Sequence, residues 1–214
     1  MDGHDTKPKA GQGLSSSLNL PVVEESAADG EVARVYERYR SHFNRDHVPG
    51  ILKCFATHPP LLRSMMDLAE NMLFVDGDLV RRHKEMIATL VSCQNACPYC
   101  ADSHGYQFRM QGGSAESLCA IQENHLDTVS LTAAERALAQ FAEKVNRSSH
   151  QVVREDVETL MQAGWSERQI AEAVHIVALF AAFNRVVNAF GVPSQGLLAG
   201  YQADASGDGS SSTK

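Results

Sequence analysis

The chain is short of positive charge. Its 19 Lys and Arg stand against 26 Asp and Glu, a formal net charge of −7, whereas a nucleic-acid or anionic-membrane partner needs a basic surface. No segment alternates apolar and polar residues with period two, which leaves no sequence signal for a sheet with one wet face. No apolar run is read as reaching the length of a membrane span, and Met1-Asp-Gly-His-Asp lacks the basic-then-apolar order of a signal peptide. Cysteine is also scarce, five in 214 residues, with no paired spacing outside one cluster. That argues against a disulfide framework, and the expected home is a reducing cytoplasm.

With 43% hydrophobic residues, the chain can bury the core of one domain. Residues 1–17 and 203–214 are rich in Gly and Ser and are expected to be disordered tails flanking a domain over 18–202. The apolar spacing predicts helices over about 27–42, 51–57, 61–75, 79–92, 99–110, 114–122, 152–163 and 167–190, with one more opening at Thr132. Asp78 is the expected N-cap of the fourth. Thr132-x-x-Glu135 and Ser166-x-x-Gln169 read as capping boxes. The fold class expected is all-α. The last helix carries Ile176, Val177, Leu179, Phe180, Phe183, Val186, Val187 and Phe190 most of the way round, which predicts a subunit interface and a homo-oligomer.

The chemistry gathers at Cys93-Gln-Asn-Ala-Cys97-Pro-Tyr-Cys100-Ala-Asp-Ser-His104, with Glu85 upstream. Pro98 fits the first helical position, which puts Cys97 at the N-cap and Cys100 in the first turn beside unpaired N–H groups. Such a setting lowers a thiol's pKa from about 8.5 to roughly 3.5–7.5 and turns it into a nucleophile. His104, one turn beyond Cys100, shares a face with both thiols and can move a proton near neutrality, with Glu85 to orient it. Three other readings stand beside this one. Cys97, Cys100 and His104 with Cys93 could be zinc ligands. The three-cysteine spacing also matches a radical-enzyme iron–sulfur loop, though its helical flanks argue against that. The disulfide could instead sense redox state without turning over a substrate. Asn184, Arg185 and His175 are read as structural or interface residues, and Cys54 and Cys119 as small buried hydrophobes.

Glu85-Met-Ile-Ala, Cys97-Pro-Tyr-Cys100, His104, Leu131-Thr-x-x-Glu135-Arg136-Ala137, Asp156, Leu160, Gly164, Ile170 and Phe183-Asn-Arg185 together resemble the alkylhydroperoxidase D branch of the carboxymuconolactone decarboxylase superfamily, over roughly residues 20–195. The resemblance implies an all-helical trimer or hexamer that reduces small organic hydroperoxides without haem, metal or other cofactor. It implies Cys100 as the peroxidatic thiol, Cys97 as its resolving partner, and Glu85 with His104 as a proton relay. An external dithiol, lipoyl or thioredoxin-like, would reopen the disulfide. The dipole argument alone favours Cys97 as the reactive thiol, so the order of the two stays open. Where the family often has a second histidine, this chain has Tyr99, a poorer proton shuttle near neutral pH. Cys93 could form an alternative disulfide. Members that decarboxylate a lactone acid lack the cysteine pair, and that activity is the alternative within the superfamily.

Overall fold

The computed structural model describes residues 18–201; both expected tails lie outside the described residues. Among the described residues there are helices and loops and no strand. The helices are α1 (Gly30–Phe43), α2 (Gly50–Phe55), α3 (Pro59–Leu68), α4 (Arg81–Gln94), α5 (Pro98–Met110), α6 (Ala115–Gln122), α7 (Ala133–Ser148), α8 (Arg154–Gln162) and α9 (Glu167–Phe190). Thr132 and Ser166 each accept from the third helical N–H and are answered by Glu135 and Gln169, so both capping boxes form. Pro59 and Pro60 open α3 as well as closing off α2, because a missing N–H costs nothing in a first helical turn.

α4 is the hub. It packs against α5, α6, α7 and α9, and every residue from Lys84 to Ser92 is buried. Its cap differs from expectation: Val80 is the N-cap, and Asp76 Oδ1 accepts from Arg81 N at 2.7 Å. Asp78 faces α9, where its backbone carbonyl accepts from Gln169 Nε2 at 3.1 Å. The expected helix over 61–75 is also interrupted. After Leu68 the backbone widens into a π-turn, Ala69–Leu73, and Leu73 and Phe74 are thereby set beside the α4–α5 pair. Such turns recur at functional sites.

α9 amends one reading. By length and composition it is apolar enough to cross a membrane, yet its apolar ring packs within the chain against α2, α4, α5, α7 and α8. Beyond its first turn, its exposed strip is Ala171, His175, Ala178, Ala182, Arg185, Asn188 and Ala189. Burial within the chain covers Ile176, Val177, Phe180, Phe183 and Val187, while Leu179, Val186 and Phe190 stay partly exposed. Cys54 is buried as expected, but Cys119 is exposed, since it lies on the outer face of α6.

Candidate active site

The turn joining α4 to α5 is built to present two thiols. Ala96 adopts φ +50°, a left-handed conformation that costs a non-glycine residue about 1 kcal/mol or more. Asn188 on α9 offsets it by donating to the carbonyls of Asn95 (3.3 Å) and Ala96 (3.2 Å). Cys97 then caps α5, with Pro98 at the first helical position as the sequence predicts. The Cys97 N–H returns to Ser92 O at 2.9 Å.

Both thiols are buried and reduced, but they face differently. Cys100 lines a pocket of about 600 Å³ with Tyr99, Ser103 and His104. Cys97 is not among the lining residues and packs instead with Val187 and Val192. Cys97 is the more acidic thiol, lowered to about 7 by the S–H of Cys100 donated to it, against the opposing effect of burial, and helped by the Cys100 N–H, Asn184 and the charge of His104. Cys100 is pushed up because it gives its proton to Cys97 and is buried. Burial also raises Cys93, half-buried on the last turn of α4, which makes it a poor competitor for the oxidised thiol.

The expected contact between Glu85 and His104 forms. His104 Nδ1 lies 2.6 Å from Glu85 Oε2, and the ring stacks edge-on against Phe180 at 4.5 Å. The carboxylate fixes the imidazole so that its other nitrogen is free for the pocket side. Arg81 and Gln107 extend the chain of contacts: Arg81 Nε reaches Glu85 Oε1 at 3.2 Å, and Arg81 Nη2 reaches Gln107 Oε1 at 2.9 Å. Sequence reasoning missed both, although Arg81 lies one turn before Glu85. Tyr99 accepts from Gln195 Nε2 at 2.9 Å and more weakly from Ile51 N at 3.4 Å, and burial holds its phenol far above the range in which it could shuttle a proton at neutral pH.

Asn184 is a further site residue that the sequence reading placed elsewhere. It does bond a neighbouring loop, as expected: Asn95 Nδ2 donates to its Oδ1 at 3.1 Å, and its Nδ2 donates to Ser92 Oγ at 3.0 Å. That loop carries the cysteines, and Asn184 is fully buried against both thiols. A lone amide in an apolar helix was the visible signal. Arg185 and His175 are exposed on the outer strip; Arg185 folds back onto its own helix at Ala181 O. Among the described residues, no group of three or more His, Cys, Asp or Glu side chains is placed to hold a metal ion, so Cys93, Cys97, Cys100 and His104 do not converge as a zinc set.

The acidity of Cys97 gives a direct expectation. The far-ultraviolet absorbance of thiolate should rise with a midpoint near pH 7, below the about 8.5 of a free cysteine. Asn184→Ala removes a donor to the charged form and should move the midpoint up. An unchanged midpoint in a variant of native helicity would separate Asn184 from the thiols.

Two helices crossing at a capped Cys-x-x-Cys, with a His–Glu pair beside it, define a class of helical thiol-site domains. Comparison with known proteins places the fold. Residues 59–144, which contain Glu85, both cysteines and His104, match the carboxymuconolactone decarboxylase family. A peroxidase-related protein from Ralstonia eutropha with an alkylhydroperoxidase AhpD core is 25% identical, with a TM-score of 0.75 over 85% of this chain and 95% of that one. A peroxidase-related protein from Silicibacter sp. is 27% identical, with a TM-score of 0.72 over 91% of this chain and 97% of that one. Mouse (Mus musculus) Sestrin-3 is 24% identical over 167 residues, 78% of this chain; the chain spans about a third of that protein's length, 32%. The chain thus carries a carboxymuconolactone decarboxylase-like segment over residues 59–144 and shares its fold with AhpD-core, peroxidase-related proteins.

Proposed function

We propose that the protein is a thiol-dependent hydroperoxide reductase. The observation that carries this reading is the placing of Cys100 and His104 together on the pocket wall, with Glu85 on His104 and Cys97 directly behind Cys100. Cys100 gives its proton to His104, and the resulting thiolate attacks the terminal peroxide oxygen. An S–O bond forms, the O–O bond breaks, and His104 returns the proton to the departing alkoxide to give an alcohol. Glu85 stabilises the transient imidazolium. Cys97 then loses its proton to His104 and attacks the sulfenic sulfur, and the departing hydroxide takes that proton from His104 to leave as water. A dithiol protein of the lipoyl or thioredoxin type then reduces the disulfide. Assembly as a trimer or hexamer, which rests on family likeness, and residence in a reducing cytoplasm, which rests on the cysteine pattern, belong to the same proposal.

One equivalent of cumene hydroperoxide added to the reduced protein should remove two hydrogens by intact mass, mapping to a Cys97–Cys100 link. His104→Ala should slow this by about a hundred-fold, the usual contribution of general acid–base catalysis. If both thiols stay reduced while the peroxide is unchanged, the proposal is wrong.

A further inference from the structure

The pocket in front of Cys100 is far larger than a simple peroxide requires. Its volume of about 600 Å³ lies within the usual range for sites that enclose a drug-sized ligand, whereas a water-sized molecule takes roughly 30 Å³. Its inner wall is apolar, with Phe55, Leu73, Phe74, Phe180 and Phe183 among the lining residues. The charged side chains lining it, apart from His104, come from the exposed loop between α1 and α2, at Arg45, Asp46 and His47.

Arg45 stands out in that loop. Arg81, which lies behind His104 through Glu85, is tied to Glu85 and Gln107. Arg45 makes no ion pair among the described residues, and in a chain of net charge −7 an unclaimed guanidinium at a pocket mouth is uncommon. Burial raises the Tyr39 phenol, which lines the same pocket, and the Arg45 charge partly reverses it, so that charge is felt along the wall. Asp46 is the anion on the lining and opposes Arg45.

We propose that the pocket selects an amphiphilic substrate, a medium- or long-chain hydroperoxide with a free carboxylate, whose apolar chain lies along the phenylalanine wall and whose carboxylate is met by Arg45. This rests on the hydroperoxide-reductase reading, and it is tested by binding, without turnover. ω-Hydroxydodecanoate, an alcohol of the kind such a reaction would release, and its methyl ester compete with an apolar fluorescent probe for the reduced protein below their aggregation limits. The acid should displace the probe at about five-fold lower concentration than the ester at low salt, the scale of one partly exposed ion pair. Arg45→Gln should bring the ratio close to one, and Asp46→Asn should widen it. Equal displacement by acid and ester in the wild type, a ratio unchanged in Arg45→Gln, or no displacement by either overturns the proposal. Selective binding by a protein whose thiols never oxidise would overturn the reductase reading and leave the carboxylate site standing.

Discussion

Cys100→Ser is expected to lower hydroperoxide consumption by about a thousand-fold or more, because a serine hydroxyl is a far weaker nucleophile at neutral pH. Cys97→Ser should behave differently. It should still consume one equivalent of peroxide and then stop, trapped with a sulfenic acid on Cys100 that a dimedone label reports by mass. Acidity and access point to different thiols here, and the physical order of events decides between them. Cys97 is the lower of the two, near 7, but it is 1% exposed and is not among the residues lining the pocket. A nucleophile must touch its substrate before its acidity matters. Cys100 is equally buried by area, yet it lines the pocket that His104 also lines. Cys97, directly behind Cys100, then serves the second step, where Asn184 and the charge of His104 still favour its thiolate after the Cys100 S–H has been consumed. A dimedone adduct on Cys97 in the Cys100→Ser protein would reverse the assignment.

The parts of this site readable from sequence were those fixed by local rules. Pro98 at the first turn placed Cys97 as the cap of α5, and the one-turn spacing placed His104 on the same face. Glu85 was legible as a candidate, but its 2.6 Å contact with His104 depends on how α4 and α5 cross. What failed depends on tertiary packing. Asp76 takes the capping bond assigned to Asp78, because two turn carboxylates differ only in which one the fold aims at Arg81. The π-turn after Leu68 leaves no mark in an apolar pattern that fits a plain helix equally well. The pocket mouth comes from residues 44–49, some fifty positions before the cysteines; no periodicity links such segments. The apolar ring of α9 is deeply buried at Ile176, Val177, Phe180, Phe183 and Val187 but only partly at Leu179, Val186 and Phe190, a split that the apolar pattern alone does not show.

The π-turn and the pocket share one anchor, and Lys84 is that anchor. Its ammonium, 2% exposed, donates to Met72 O at 2.8 Å and Val75 O at 3.1 Å, carbonyls at and just beyond the end of the π-turn, and pairs with Glu172 Oε1 of α9 at 2.5 Å. Glu172 Oε2 in turn accepts from Leu79 N at 2.6 Å. Gly77 lets the chain pass this close: a Cβ there would stand 2.5 Å from Glu172 Oε1 and 3.0 Å from Lys84 Nζ. Lys84→Met would keep the aliphatic stem but leave a carboxylate in a largely buried place without its cation, and two carbonyls without their donor. Removing one partner of a buried pair costs about 3–5 kcal/mol, which for a chain of this size lowers the melting temperature by about 10 °C or more. Replacing both partners, Lys84→Met with Glu172→Leu, should cost less than the sum of the single changes, because no uncompensated charge remains. Thermal and urea melts of the two single variants and the double variant measure this. A Lys84→Met loss below about 1 kcal/mol, the range of surface pairs, would mean that water reaches the pair and that the π-turn is held by Leu73 and its apolar neighbours alone.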